Sequence, residues 1–412
     1  MNKSPRLVAL ETLYSIFYDG SYSNIALDKA LSDIKENKAF ISALVYGVTE
    51  RKITLDYFID KYAQGRIKPK VRIVLWLGAY QLLFMDKVPS SASINESVKL
   101  VKEIKQDYYS KLVNAVLHKI DNDRQIPDDL SVKYSVPENL INMWKKQYGE
   151  DVLNEFLPCI NDKPPLFAIP NKKFVNSDEL LYELECDGIL GEAYDEFVLI
   201  ENANDLTDSK AFKNGLFYIE DLSSFNCANA LDALGDDLVL DMCSAPGGKA
   251  FTISQSMNNS GKIYCYDLHE HRLNLIKSSA KRLSIDNIYT DVNDATVYNE
   301  NIPKADKILC DVPCSGFGII RRKPEIRYKD LDSVKDLPQI QYKILETSSR
   351  YLKNDGRIIY STCTLNKKEN ENVVNKFLKD HSGYKLLKDK TVFPSTVGGD
   401  GFYYAIMVKN EN

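Results

Sequence analysis

Leu238-Val239-Leu240-Asp241-Met242-Cys243-Ser244-Ala245-Pro246-Gly247-Gly248-Lys249 joins a short apolar run to a turn of small residues and then to a helical pattern. Small residues at that junction let a backbone approach a ligand closely in front of a helix N-terminus, the arrangement of nucleotide-binding loops. Working outward, apolar runs recur at residues 263–267, 288–292, 308–312, 358–361 and 402–408, with helical segments between them. Strands alternating with helices predict a doubly wound α/β domain with a mainly parallel sheet from residue 236 to residue 412. Asp267 ends the second run, about 20 residues beyond the glycines, where an acid can bond ribose hydroxyls. Asp294 follows the third run and is expected to face a nucleoside base.

Two cysteines share the edge on which this loop lies. Asp311-Val312-Pro313-Cys314-Ser315-Gly316 ends the fourth run and Tyr360-Ser361-Thr362-Cys363 ends the fifth. Ligands of open α/β sheets bind outside the carboxyl ends of the strands, so neighbouring strands would bring both thiols into one cleft. A thiolate can attack a pyrimidine ring and a second basic group can release it, which divides one hard step into two easier ones. Two such cysteines behind a cofactor loop point to methylation at a ring carbon.

The other six of the eight cysteines have no such setting, and no CxxC spacing occurs. With only four histidines besides, neither a zinc site nor a disulfide framework is indicated, and no metal is expected. Cys265 and Cys310, inside apolar runs, read as buried small hydrophobes.

Length and charge divide the chain. Its 412 residues exceed one ordinary domain, and 44% hydrophobic with 27% charged residues is a globular composition. Residues 1–125 carry 19 Lys+Arg against 14 Asp+Glu, residues 126–235 carry 8 against 21, and residues 236–412 carry 26 against 23. A basic N-terminal part suits an anionic partner, and the acidic middle argues for a separate module. From Arg6 to Ile120 apolar residues recur at helical spacing, as in Val71, Val74, Leu75 and Leu82 or Leu112, Val116 and Ile120, which predicts a helical bundle. Residues 126–235 read as a helical linker and a small α+β module. No signal-peptide h-region and no membrane-length apolar stretch occur, so a cytoplasmic location is the default expectation.

The C-terminal part resembles the RNA cytosine-C5 methyltransferases of the RsmB/Sun and NOP2/NSUN superfamily. The resemblance rests on Asp241 to Lys249, Asp311 to Gly316, Arg321-Arg322-Lys323-Pro324-Glu325, Ser361-Thr362-Cys363, Glu369-Asn370-Glu371 and Gly399-Asp400-Gly401-Phe402-Tyr403. The helical part is similar to the NusB-like RNA-binding domain in Val45-Tyr46-Gly47-Val48, Leu77 to Phe84 and Leu112 to Leu117, a fusion that points to the 16S rRNA branch. Residues 164–171 resemble the start of an RRM-like subdomain. The chain departs from the family pattern at Ile169-Pro170-Asn171 and at Glu220-Asp221, where Gln-Asp is usual.

That resemblance implies a class I, Rossmann-like methyltransferase domain using S-adenosylmethionine. Cys243, Ser244, Ala245, Pro246, Gly247, Gly248 and Lys249 would enclose the cofactor's amino-acid and ribose portions. Asp267 would hold the ribose hydroxyls, Asp294 would lie at the adenine, and Asp311 would border cofactor and target base. It further implies that the Cys363 thiolate adds to cytosine C6, that Asp311 assists at N3, and that Cys314 takes the C5 proton to release the product. Lys249 or a helix N-terminus is expected to favour the Cys363 thiolate. Arg321, Arg322, Lys323 and Arg327 are expected to grip flanking phosphates. A monomer acting on 16S rRNA is the expectation. Transfer to tRNA or 23S rRNA, or an inactive RNA-binding assembly factor, are the competing readings.

Overall fold

The computed structural model describes residues 3–202, 206–394 and 398–410. The chain forms two compact units, one of residues up to Asp162 together with Ile320–Asp330, the other of Lys163–Ile319 together with the residues from Leu331 onward.

The first unit is helical. Its helices are α1 (Pro5–Tyr18), α2 (Ser23–Leu31), α3 (Lys38–Tyr62), α4 (Pro69–Phe84), α5 (Ser90–Glu103), α6 (Ser110–Asn122), α7 (Leu130–Tyr134), α8 (Glu138–Tyr148) and α9 (Glu150–Phe156). The Ser4 side chain caps α1 ahead of Pro5, a proline at the first position where no N–H is needed. Helix α6 buries Val113, Val116, Leu117 and Ile120, the i, i+3, i+4, i+7 face that its spacing predicts. Trp76 and Phe58 are buried in the bundle core, and the Trp76 indole N–H donates to Asp56 at 2.7 Å.

Arg327 departs from its expected role. Rather than presenting a charge to phosphates, its guanidinium is 1% exposed inside this unit and donates to the carbonyls of Glu50 at 2.9 Å and Ser135 at 3.2 Å and to Asn161 Oδ1 at 2.9 Å. Burial pulls its pKa down, and the cage of oxygens keeps the side chain inside. Arg321 is also buried, at 7% exposure, while Arg322 and Lys323 are partly exposed and the Lys323 ammonium lies 5.6 Å from the Tyr22 ring centre. Arg327→Ala orphans several buried acceptors, so a loss of about 2–4 kcal/mol is expected for this unit. Urea unfolding followed by tryptophan fluorescence checks it cleanly, because both tryptophans, Trp76 and Trp144, belong to this unit.

The second unit opens with β1 (Leu166–Pro170), α10 (Ser177–Cys186), β2 (Gly191–Tyr194), β3 (Phe197–Ile200), α11 (Lys210–Lys213) and β4 (Phe217–Ile219). The four strands form an antiparallel sheet ordered β2-β3-β1-β4, the small α+β module read from the sequence. Helix α12 (Leu222–Asn229) leads into the larger sheet.

The remaining elements are β5 (Leu238–Asp241), α13 (Gly248–Ser256), β6 (Lys262–Asp267), α14 (Glu270–Arg282), β7 (Ile288–Val292), β8 (Ala305–Asp311), α15 (Leu337–Ser349), β9 (Leu352–Thr362), α16 (Glu371–Asp380), β10 (Tyr384–Val392) and β11 (Phe402–Lys409). The sheet runs β10-β11-β9-β8-β5-β6-β7, parallel from β9 through β7, with β11 reversed between β9 and β10. This is the doubly wound, Rossmann-like architecture that the alternating strands and helices predict. Successive side chains alternate between two cores, Val239, Ile263, Leu309 and Ile359 on one face, Leu240, Tyr266, Ile308 and Ile358 on the other. Burial of both faces is why these strands read as continuous apolar runs. It also fixes β5, β6 and β8 so that their terminal acids, Asp241, Asp267 and Asp311, emerge along one edge.

Candidate active site

Strands β8 and β9 pair in parallel with Asp311 opposite Ser361, so the chain segments leaving them start side by side. Their two cysteines meet: Sγ of Cys314 lies 3.2 Å from Sγ of Cys363. Both thiols are half-buried. The contact with Cys363, followed by burial, holds the Cys314 thiol well above the ordinary cysteine range, so Cys314 keeps its proton at neutral pH.

Asp311 sits between charge and hydroxyl. Its Oδ2 pairs with the Lys249 ammonium at 2.8 Å and its Oδ1 accepts from the Ser361 hydroxyl at 2.9 Å. Burial alone would lower the Lys249 pKa, but the carboxylates of Asp311 and Glu220 outweigh it and raise it. The Lys249 cation is therefore committed to Asp311, while the sulfur neighbour of Cys363 is Cys314.

A network absent from the sequence reading holds the two cysteine loops together. Glu369, fully buried, accepts from Ser315 N at 2.9 Å, Ser315 Oγ at 2.6 Å, Gln341 Nε2 at 2.9 Å and Asn366 Nδ2 at 2.8 Å. The Ser315 hydroxyl also meets Thr364 Oγ1 at 2.7 Å, which ties the residue after Cys314 to the residue after Cys363. Gly318 adds a backbone clamp: its N–H donates to the Cys363 carbonyl at 3.1 Å, and a Cβ there would lie 1.9 Å from the Gly401 carbonyl oxygen. Glu369→Gln keeps the shape but turns one acceptor into a donor facing donors. A loss of about 2 kcal/mol in stability and at least a tenfold drop in turnover are expected, checked by thermal unfolding and initial rates.

The loop after β5 is shaped to receive a ligand. Gly247, at φ 107°, is in the left-handed region and precedes the first turn of α13. A Cβ on Gly248 would lie 1.5 Å from Glu220 Oε2, so any side chain there would displace that carboxylate. Ser244 N donates to the Tyr266 carbonyl at 2.8 Å, pinning the loop to the end of β6. Cys243 is raised far above the usual thiol range by burial, which makes it an inert part of the wall. Burial also pushes Asp241 up to about 7.

Asp267 is buried at the end of β6, with Oδ2 paired to Arg272 Nη1 at 2.8 Å and Oδ1 accepting from His269 N at 3.1 Å. Arg272 also donates to the Ala245 carbonyl at 2.7 Å, which links this acid to the glycine loop. Asp294 is exposed beyond β7, and its Oδ1 accepts from Thr296 N at 2.9 Å and Thr296 Oγ1 at 2.6 Å.

These strand ends fit a nucleoside-bearing cofactor. Leu268, directly after Asp267, and Val297, three residues after Asp294, are 57% and 59% exposed, apolar side chains left open near each acid. The buried Asn293 Nδ2 and Asp241 Oδ1 lack protein partners, polar atoms that a hydroxyl- and amine-rich ligand would satisfy. Among the described residues no group of three or more His, Cys, Asp or Glu is arranged to hold a metal ion, and no helix is long and apolar enough to cross a membrane.

Comparison with known proteins gives the same reading from a different direction. Residues 228–408 match the model of the 16S rRNA methyltransferase RsmB/F family and residues 3–122 that of the NusB family. The probable ribosomal RNA small subunit methyltransferase B of Bacillus subtilis is 32% identical, covering 98% of this chain and 99% of that protein. Its counterpart from Synechocystis is 30% identical, covering 93% and 90%. The crystal structure of PH0851 superposes with a TM-score of 0.82 at 26% identity, over 99% of this chain and all of the other. The paired thiols, the glycine loop and the acidic strand ends therefore sit in a chain that belongs to the RsmB/F family of S-adenosylmethionine-dependent RNA methyltransferases.

Proposed function

We propose that this enzyme methylates C5 of a cytosine in 16S ribosomal RNA, with Cys363 as nucleophile and Cys314 as release base. The observation that carries the reading is the 3.2 Å contact between the two sulfurs at paired strand ends, where one cytosine ring can meet both. The names of the full-length relatives supply the small-subunit rRNA. The NusB-type domain supports an RNA substrate as well.

S-adenosylmethionine supplies an electrophilic methyl group on a sulfonium. Residues Cys243 to Lys249 would hold its amino-acid portion, Asp267 the ribose hydroxyls and Asp294 the adenine edge, with Asp311 between cofactor and base. The Cys363 thiolate adds to C6 of the extruded cytosine, and the C5–C6 π electrons become available at C5 for the methyl group. Asp311, steadied by Lys249 and Ser361, assists at N3. The methylated ring then carries its original C5 proton and a C6–S bond. Cys314, once it has given its own thiol proton to solvent, removes the C5 proton as a thiolate, the C5–H electrons re-form the C5–C6 double bond, and the Cys363 thiolate leaves.

The raised Cys314 pKa fits this order of events. Its largest cause is the hydrogen bond with Cys363, and that cause disappears once the Cys363 sulfur is bonded to carbon. A larger fraction of Cys314 can then ionise, so the thiolate needed for release becomes available after the adduct has formed. Arg322 and Lys323 remain the proposed phosphate contacts, and Arg327 does not.

The test is to incubate the enzyme and cofactor with 16S rRNA and tRNA from a strain lacking the protein, then map 5-methylcytosine by bisulfite sequencing. New 5-methylcytosine in 16S rRNA and none in tRNA is expected. Modification of tRNA alone, or none at all, contradicts the reading.

A further inference from the structure

Glu220 stands one residue beyond β4, in sequence part of the small module, yet its carboxylate belongs to the cofactor loop. The next residue, Asp221, is the N-cap of α12: its Oδ1 accepts from Ser223 N at 2.9 Å and its Oδ2 from Asp400 N at 3.0 Å. These bonds fix the backbone that aims Glu220 at the first turn of α13. There Oε2 occupies the space a Gly248 side chain would need, 1.5 Å from its Cβ position. A carboxylate against a helix N-terminus is in a favourable electrostatic position.

Glu220 faces one ammonium and two other carboxylates. Lys249 on α13 attracts it, Asp221 at the start of α12 and Asp311 at the end of β8 repel it, and the Ser224 hydroxyl bonds it. Cys227 on α12 remains a neutral thiol, pushed up to about 12 by burial. Asp311 already takes the Lys249 ammonium at 2.8 Å. One ammonium with the carboxylates of Asp311, Asp221 and Glu220 carries a net charge of about −2 when Glu220 is ionised and about −1 when it holds a proton, a change of one unit.

The cofactor and its product differ by that same charge. S-adenosylmethionine bears a sulfonium, an ammonium and a carboxylate, and is a net cation. S-adenosylhomocysteine has lost the sulfonium charge and is net neutral. We propose that Glu220 is the residue by which this site distinguishes cofactor from spent product, its ionised carboxylate supplying the negative charge that only the cationic cofactor requires. The inference rests on the assignment of residues 243–249 and Asp311 to the cofactor.

The sign of the pH dependence follows. Burial pushes Glu220 up to about 7, against the pull of Lys249, so below that pH it is largely protonated. Binding of the cation then displaces a proton, and affinity falls by up to about tenfold per pH unit below 7. Neutral product displaces none.

Calorimetric titration of the full-length enzyme without RNA tests this, using each ligand at pH 6 and pH 8 in buffers of different ionisation enthalpy. For the wild type, S-adenosylmethionine is expected to bind on the order of tenfold more weakly at pH 6, with proton release, and S-adenosylhomocysteine to change less than about twofold. Glu220→Gln should retain product binding, which shows an intact site, while its cofactor binding loses the pH dependence. Glu220→Asp, which keeps the carboxylate, should keep it. Asp241 also titrates near 7, so Asp241→Asn is the necessary companion. Cofactor-specific pH dependence that survives in Glu220→Gln, or that Asp241→Asn alone removes, overturns the inference. If Glu220→Gln binds neither ligand, loss of the pH dependence in Glu220→Asp overturns it. Failure of the wild type to bind either ligand strikes instead at the assignment of the loop.

Discussion

Cys363→Ala is expected to abolish methyl transfer, by roughly 10⁴-fold or more, while leaving cofactor binding within about twofold of wild type. Cytosine C5 is a poor nucleophile until C6 carries a donor, and no other sulfur occupies the position: Cys314 is anchored on the neighbouring strand end through Ser315, Glu369 and Gln341. Alanine removes only the sulfur, since the backbone of residue 363 is held through its carbonyl by Gly318. Initial-rate measurements with labelled cofactor, paired with calorimetry of cofactor binding, separate lost chemistry from lost folding. Undiminished turnover would sink the assignment of Cys363.

Cys314→Ser has the opposite signature. Methyl transfer still proceeds, but a serine hydroxyl is a far weaker base, so the methylated ring stays bonded to Cys363. Turnover is expected to fall on the order of 10³-fold while a denaturation-stable protein–RNA complex accumulates toward one RNA per enzyme. Denaturing gels with labelled RNA read both quantities. The double variant with Cys363→Ala should form no such complex, because the adduct requires the nucleophile first.

The parallel strands and the paired cysteines were legible because their signals are local. Residues of β5, β6, β8 and β9 are buried on both faces and spell apolar runs, and each functional acid or thiol directly follows its run. The edge strand β10 was not legible. Lys385, Lys388, Asp389 and Lys390 are exposed along it, which suits a protected sheet edge and reads as loop. Strand β9 likewise begins at Leu352, ahead of a polar Lys353-Asn354-Asp355-Gly356 stretch that masks its first half.

Glu369 and Glu220 stand in stretches compared with the family pattern, but their contacts escaped for a different reason. Glu369 reaches Ser315 across 54 positions of sequence, and Glu220 reaches Gly248 from another sheet, so no window of sequence contains either contact. Arg327 was misread because a basic run beside an active-site motif looks like a phosphate grip, and only the fold reveals the carbonyls that enclose its guanidinium.

The most direct test of the two-cysteine account uses the wild-type enzyme with 16S rRNA containing 5-fluorocytidine in place of cytidine. Fluorine at C5 leaves Cys314 no proton to remove, so the cycle stops after methyl transfer with the ring still attached. The account predicts a denaturation-stable adduct that carries a methyl group from the cofactor and maps by mass spectrometry to the peptide containing Cys363. An adduct on Cys314, or continued turnover with no adduct, would contradict it.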